Sequence, residues 1–186
     1  QVDGDASVKR GGGAIQSNEQ LLKAVREANP EAFIVFKPHP DVVTGNRDGS
    51  ITAETVRTCT NLIVTSGSLN DFWPYVDEVH TLTSLSGFEA LLRHKKVVTY
   101  GKPFYAGWGL TTDYSAEKRM DIALTLGELI AGVMILYPKY WDWKTSCVCR
   151  PEDVCYRILR KEQPEVGLWI KVCRIAKVVC RVLSRK

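Results

Sequence analysis

A histidine held between two prolines is the first feature of this sequence that could do chemistry. The run Lys37-Pro38-His39-Pro40 directly follows an apolar stretch that is typical of a buried strand. The prolines restrict the backbone on both sides of His39, so its side chain has little conformational freedom left to lose on binding. An imidazole can donate hydrogen bonds to a phosphate, and Lys37 adds a positive charge beside it. We therefore interpret Lys37 and His39 as candidate anion ligands; the alternative is a turn histidine without a ligand.

Hydroxyl groups and a carboxylate follow a second predicted strand, in the run Thr83-Ser84-Leu85-Ser86-Gly87-Phe88-Glu89. Ser86 and Glu89 have the spacing of a capping box at a helix N-terminus, which would be a purely structural role. The same geometry presents backbone N–H groups, the hydroxyls of Ser84 and Ser86 and the positive end of a helix dipole. Together these groups could bind an anion.

Two carboxylates lie two residues apart near the start of the sequence, at Asp3 and Asp5. On an extended segment they would share a face. Facing one cleft, they could serve as nucleophile and as general acid or base. A solvated turn accounts for the same spacing.

To lie close together, these groups need a fold in which the ends of several strands meet. Short apolar runs predict strands at 32–36, 61–65, 78–81 and 96–100. Helical patterns are predicted to begin at Ser17-Asn18 and to cover 51–58, 68–73, 86–93, 125–137 and 151–161. This alternation predicts an α/β fold with an open parallel sheet, in which ligands bind beyond the carboxyl ends of the strands. The glycine- and aromatic-rich run 100–110 is expected to approach a ligand there or to pack against another domain.

The composition narrows the class of protein and its partners. The 186 residues are 45% hydrophobic and 25% charged, as in an ordinary globular domain. The net charge of +4 arises near the C-terminus, so we predict no nucleic-acid partner. Five of the six cysteines lie from Cys147 onward. We favour small buried thiols over a disulfide framework or a metal site, because no histidine lies in that region.

The last segment, Val166 to Lys186, has apolar residues on one side of a helix and Lys or Arg on the other. This pattern is typical of a helix that lies on an anionic membrane surface. A terminal helix packed on a partner lobe is the alternative. The predicted organisation is therefore a lobe over residues 1–165 followed by a basic amphipathic helix over 166–186.

Four segments, taken in order, resemble the capsule polysaccharide biosynthesis family: QVDGDASV, FKPHPDV, VHTLTSLSGFEALLRHKKVVTYGKPFYAGWGLTTD and LGELIAGVMILYPKYWD. The best-known members are KpsC-type (LipB-type) β-Kdo glycosyltransferases. The resemblance runs from residue 1 to about residue 160. It implies that this chain is the Rossmann-like, C-terminal nucleotide-binding lobe of a GT-B enzyme. The N-terminal lobe would belong to the same parent chain.

The resemblance also implies an activity and roles for the candidate residues. Kdo would move from CMP-Kdo, with retention and without a metal, to a lipid-linked Kdo oligosaccharide. His39, Ser84 and Ser86 would hold the CMP phosphate, Glu89 would reach the ribose or cytosine, and Asp5, ahead of Asp3, would be the catalytic carboxylate. The family often has Glu where Asp3 stands.

The expected location is the cytoplasmic face of the inner membrane, where the protein would be peripheral. By itself, the chain is expected to bind CMP weakly and to transfer nothing. Two other functions stay open. One is a non-catalytic nucleotide-binding or scaffold module in capsule assembly and export. The other is a different CMP-sugar transferase, similar to a sialyltransferase.

Overall fold

The computed structural model describes residues 1–45, 51–115 and 122–162, and the chain divides into two compact units, Gln1–Leu129 and Ile130–Lys186. The predicted boundary at residue 165 and the predicted helix over 166–186 lie outside the described residues.

The first unit alternates short helices and strands. In chain order these are α1 (Ala6–Gly11), α2 (Asn18–Ala28), β1 (Val35–Phe36), α3 (Pro40–Val43), α4 (Ala53–Cys59), β2 (Leu62–Ile63), two 3₁₀ turns (Leu69–Asp71 and Trp73–Tyr75), β3 (Glu78–Thr81), α5 (Leu85–Leu91), β4 (Lys96–Thr99), β5 (Thr112–Asp113) and α6 (Leu126–Ile130). The last residue of α6, Ile130, is the first residue of the second unit, and a π-helical stretch, Ala131–Leu136, follows it directly.

All strand pairs of the first unit that the structure describes are parallel. β1 pairs with β2, and β3, β4 and β5 form a second sheet in that order. In the longest ladder, Glu78 lies opposite Lys96 and Thr81 lies opposite Thr99. The predicted α/β class with parallel strands is confirmed.

One hydrophobic cluster joins the helices to both sheets. Ser17 caps α2 by accepting a hydrogen bond from the N–H of Gln20, and the helix then buries Leu21, Leu22 and Val25. These side chains belong to the same buried cluster as Val8, Ile34, Cys59, Leu82, Val98 and Tyr100. Residues that directly precede β1 and directly follow β3 thus share one core.

Several predicted elements are shorter than expected, and others were not predicted. The strand predicted at 78–81 matches β3, whereas the strands predicted at 32–36 and 61–65 pair only at Val35–Phe36 and Leu62–Ile63. The helix α1 was not predicted, because Ala6–Gly11 has one buried apolar residue and runs into three consecutive glycines, Gly11 to Gly13, that weaken the pattern.

The second unit contains a hairpin and a helix that an ion pair holds together. β6 (Tyr140–Asp142) pairs antiparallel with β7 (Cys147–Cys149), and α7 (Pro151–Leu159) follows. The guanidinium of Arg157 donates from Nε to Asp142 Oδ1 over 2.8 Å and from Nη2 to Oδ2 over 2.6 Å. The hairpin was not predicted, because Trp-Asp-Trp-Lys-Thr lacks the glycine or asparagine that marks tight turns.

The cysteines only partly follow the prediction. Cys59 is buried, as expected, but Cys147 and Cys155 are exposed free thiols, so the prediction of buried thiols is wrong for these two. The prediction rested on the absence of a histidine from that region, which argues against a metal site but says nothing about burial. Within the described ranges, no helix is long and apolar enough to cross a membrane.

Candidate functional site

The first residues of the chain lie across the carboxyl ends of β3 and β4. Gln1 contacts Thr81 at the end of β3, and the carbonyl oxygen of Gly11 accepts a 2.6 Å hydrogen bond from the N–H of Lys102. A Cβ atom on Gly101 would lie 2.9 Å from the carbonyl oxygen of Leu82, so only glycine permits this approach. The segment that carries Asp3 and Asp5 is thereby held at the edge where a parallel sheet binds ligands.

Ser84 and Ser86 meet in the turn between β3 and α5. The hydroxyl of Ser86 donates a 2.7 Å hydrogen bond to Ser84 Oγ, which also accepts from the N–H of Ser86 over 3.3 Å. The two hydroxyls therefore form one polar pair at the start of the helix. This is the closest association among the predicted site residues.

The helix cap predicted at Ser86 is wrong. Ser84, with extended backbone angles of φ −68° and ψ 143°, is the N-cap, and Ser86 already lies inside α5. Glu89 is three residues farther on and half-buried, on the same side of the short helix as Ser86. The N–H of Ser86 and that of Gly87 are occupied by Ser84, so the hydroxyls are the main groups that this turn offers a ligand.

Tyr105 stabilises the turn that carries Ser84. This fully buried residue donates a 2.6 Å hydrogen bond from its hydroxyl to the carbonyl oxygen of Ser84. Burial raises the pKa of the Tyr105 phenol well above its ordinary value, so the hydroxyl stays protonated and remains a donor. In the 100–110 run, the buried Tyr105 and Ala106 show that this part of the loop packs into the fold.

Asp113 connects the loop that contains Tyr105 to the neighbouring strands. Its carboxylate accepts hydrogen bonds from the hydroxyls of Thr99 and Thr111, each over 2.6 Å, and from the N–H of Gly107 over 2.9 Å. The end of β4, the middle of the loop and the beginning of β5 are thus tied to one side chain. Neither Tyr105 nor Asp113 was predicted, because most of their partners are distant in sequence or are backbone atoms.

His39 lies at the carboxyl end of β1, at the N-cap of the short helix α3. Its Nδ1 accepts a 3.2 Å hydrogen bond from the N–H of Asp41. A neutral imidazole that accepts at Nδ1 carries its proton on Nε2, so Nε2 is the nitrogen that can donate to a ligand. The side chain is 45% exposed, which leaves it accessible to one. Ligand binding by His39 stays a prediction.

Lys37 makes contacts within the protein. Its Nζ donates to the carbonyl oxygens of Ser66 and Gly67, over 3.3 and 2.9 Å, and lies 5.4 Å from the centre of the Phe72 ring. These contacts brace the loop after β2. Anion binding by Lys37 stays a prediction. The contacts show that its charged group also has a structural role.

The two aspartates have different surroundings. Asp3 Oδ1 accepts hydrogen bonds from the backbone N–H and from the side-chain amide of the buried Asn18, each over 3.0 Å. Asp5 is exposed at the N-cap of α1, where the hydroxyl of Ser7 donates to its Oδ2 over 3.2 Å. Asp3 therefore anchors α2, and Asp5 is the more exposed of the two carboxylates.

Comparison with known proteins identifies the family. The profile of the family described as "Capsule polysaccharide biosynthesis protein" matches residues 1–137, which include every predicted site residue. This chain belongs to that family. The resemblance seen in the sequence is thus confirmed.

Relatives of this capsule polysaccharide biosynthesis family member include curated and solved proteins. The chain is 45% identical over 162 residues to the capsule polysaccharide modification protein LipA of Neisseria meningitidis serogroup A, covering 87% of this chain and 23% of LipA. It is 41% identical over 140 residues to the lipopolysaccharide-processing protein LpsZ of Rhizobium meliloti, covering 75% and 32%. The chain thus spans about a quarter to a third of these relatives.

Two solved structures share its fold. The β-Kdo 2,7 transferase of Thermosulfurimonas dismutans KpsC matches with a TM-score of 0.78 and 44% identity, covering 88% of this chain and 52% of that one. The β-Kdo 2,4 transferase of the same KpsC matches with a TM-score of 0.70 and 33% identity, covering 84% and 49%. The capsule family member therefore has the fold of about half of a KpsC transferase chain. In the part of the chain that the structure describes, no group of three or more His, Cys, Asp or Glu could hold a metal ion.

Proposed function

We propose that this chain is the nucleotide-binding lobe of a retaining β-Kdo glycosyltransferase that uses CMP-Kdo as donor. The observation that carries the proposal is the likeness to the β-Kdo 2,7 transferase of KpsC, with 44% identity and a TM-score of 0.78. That match covers 52% of the transferase chain, as expected for one lobe of a two-lobed enzyme.

The donor phosphate would be held by hydrogen bonds from two strand ends. His39 would donate from Nε2, and the paired hydroxyls of Ser84 and Ser86 would form the second contact. Glu89, on the Ser86 side of α5, would accept from the ribose or the cytosine. These contacts stabilise the negative charge that grows on the CMP phosphate as it leaves.

Retention requires two displacements at the anomeric carbon of Kdo. The carboxylate of Asp5 would attack that carbon as the bond to the CMP phosphate oxygen breaks, and the bonding electrons leave with CMP. An acceptor hydroxyl would then attack the same carbon, release the carboxylate and give its proton to a base. Asp3, bonded twice to Asn18, would keep the segment in place.

The acceptor would be a lipid-linked Kdo oligosaccharide at the cytoplasmic face of the inner membrane. Residues 166–186 would bring basic and apolar side chains to an anionic lipid surface. The other lobe would come from the same parent chain, and no metal would take part because protein donors cover a single phosphate.

The test is a transfer assay with the full-length parent protein, CMP-Kdo and a Kdo-terminated acceptor, in the presence of EDTA. We expect a β-linked Kdo product and stoichiometric CMP, and no product from the 186-residue chain alone. Robust transfer by this chain alone would contradict its role as a single lobe. Transfer only from CMP-sialic acid would favour the sialyltransferase-like alternative, and calorimetry that detects glycan binding but no CMP binding would favour the scaffold alternative.

A further inference from the structure

The side chain of Gln1 reaches the turn between Thr81 and Ser84, which begins 80 residues away along the chain. Its half-buried carboxamide lies 2.8 Å from the hydroxyl of Thr81. The surrounding backbone offers N–H donors here, so the oxygen of the carboxamide, and not its nitrogen, faces the turn. Oε1 then accepts from the hydroxyl of Thr81 and from three successive N–H groups, at distances of 2.8 Å for Thr81, 3.1 Å for Leu82, 2.9 Å for Thr83 and 2.9 Å for Ser84.

Three successive N–H groups that converge on one oxygen form a backbone nest, a geometry that proteins use to hold oxyanions. In this turn the oxygen belongs to Gln1. Without it, the N–H groups of Leu82, Thr83 and Ser84 would lose their common acceptor, and the turn would have to rearrange or bind water. Gln1 therefore stabilises the backbone conformation that makes Ser84 the cap of α5.

Gln1 is also tied to the segment of the aspartates. The side-chain amide of Asn18 donates to the carbonyl oxygen of Gln1 over 2.9 Å and to Asp3 Oδ1 over 3.0 Å. Asn18 is 2% exposed, so this connection is rigid at the amino end of α2. Gln1 thus joins the segment of Asp5 to the turn of Ser84.

We infer that Gln1 is a positioning residue: its carboxamide oxygen holds the Thr81–Ser84 turn so that Ser84 and Ser86 face the donor phosphate, at a fixed separation from Asp5. The ligand in this inference rests on the proposed function, whereas the effect on the turn does not depend on any ligand.

Amide hydrogen exchange measured by NMR tests the first part, using the chain with Gln1→Ala, Gln1→Glu and, as a matched control, Gln16→Ala. Gln16 is exposed, and its side-chain amide donates locally to the carbonyl oxygen of Gly13. In Gln1→Ala we expect exchange at Leu82 and Thr83 to accelerate about tenfold or more, because their acceptor is lost, and exchange at Ser84 to accelerate less, because its N–H also donates to Thr81 Oγ1 over 3.3 Å. In Gln1→Glu exchange should stay as slow as in wild type, because a carboxylate accepts the same bonds.

Titration with CMP tests the second part. Gln1→Ala should weaken CMP binding roughly tenfold, as the serine hydroxyls lose their orientation. Gln1→Glu keeps the turn but adds a negative charge beside the phosphate, so it should also weaken binding, by roughly tenfold at low salt and less at high salt. A residue that only stabilised the fold would leave CMP affinity unchanged in Gln1→Ala under conditions where the variant is fully folded.

The outcomes separate the inference from the proposed function. Wild-type exchange rates in Gln1→Ala would overturn the inference, and so would a CMP affinity in Gln1→Ala equal to that of Gln16→Ala. If wild type binds no CMP at all, the proposed function fails, and the exchange rates alone then decide whether Gln1 holds the turn.

Discussion

The hydroxyl of Tyr105 donates a 2.6 Å hydrogen bond to the carbonyl oxygen of Ser84, and Gly87 leaves the space for this ring. A Cβ atom at Gly87 would lie 2.7 Å from Cζ of Tyr105, well inside van der Waals contact. The loop after β4 therefore determines the position of the turn after β3. Two separate parts of the sequence build one edge of the candidate site.

Replacing Gly87 by alanine should destabilise the protein and disturb the Ser84 turn. We expect a loss of about 1–3 kcal/mol in the free energy of unfolding, because Tyr105 is fully buried and cannot move aside without strain. Urea denaturation measures this loss. Gly127→Ala is the matched control: a Cβ there meets nothing within 4 Å, so a gain of about 0.5–1 kcal/mol from helix propensity is expected. Equal stabilities of the two variants would contradict the packing argument.

Substitutions at Asp5 and Asp3 should show a catalytic role for Asp5 and a structural role for Asp3. In the full-length protein, Asp5→Asn should lower Kdo transfer on the order of 10³-fold or more without loss of stability, as expected for a nucleophile. Asp3→Ala should lose about 1–3 kcal/mol of stability, because the backbone N–H of the buried Asn18 is left without its acceptor, while Asp3→Asn keeps an acceptor oxygen and most of the activity.

Transfer rates and thermal unfolding of the same three variants provide the comparison. Full activity in Asp5→Asn would exclude Asp5 as the nucleophile. Loss of activity in Asp3→Asn at unchanged stability would instead assign that role to Asp3.

Acid should weaken the hairpin and helix of the second unit. The hydrogen bonds from Arg157, aided by one from the N–H of Lys144, lower the pKa of Asp142 from 3.8 to about 2. The folded state therefore binds this proton less tightly than the unfolded state. The stabilising effect is complete above about pH 4 and is lost as the pH falls toward 2.

Thermal unfolding at pH 5 and pH 2.5 measures this dependence. Asp142→Asn should remove much of the difference between the two pH values, whereas Asp153→Asn should not, because Asp153 belongs to an exposed pair with Arg150 at 3.6 Å. A pH dependence that is the same in wild type and Asp142→Asn would show that other carboxylates cause it.

Residues 166–186 should carry any affinity for lipid. In flotation with vesicles that contain anionic lipid, the complete chain should float and a chain ending at residue 165 should not, because the segment has an apolar and a basic side at helical spacing. Raising the salt concentration should reduce binding, since part of the attraction is electrostatic. Identical partitioning of the two proteins would leave a packing role for the segment.

The sequence predicted the fold class and the positions of the candidate site residues more accurately than the contacts that these residues make. Strand-end positions are local patterns, so β3 and the place of His39 at the end of β1 followed from apolar runs and prolines. Gln1 contacts Thr81, which is 80 positions away, and Tyr105 donates to a residue 21 positions away. Asn18 donates to residues 15 and 17 positions away. No local spacing in the sequence reveals such pairs. The cap at Ser86 was mistaken because Ser84 and Ser86 are both good capping residues and the backbone angles decide between them.

The most direct test of the account is a crystal structure of this chain soaked with CMP, supported by calorimetry. We predict phosphate oxygens within about 3.2 Å of His39 Nε2 and of a hydroxyl of the Ser84–Ser86 pair. His39→Ala should then bind CMP roughly tenfold more weakly, whereas His94→Asn should bind as wild type, since an exposed residue at φ 56° tolerates asparagine. An unoccupied site at saturating CMP, or a phosphate bound by only one of the two strand ends, would contradict it.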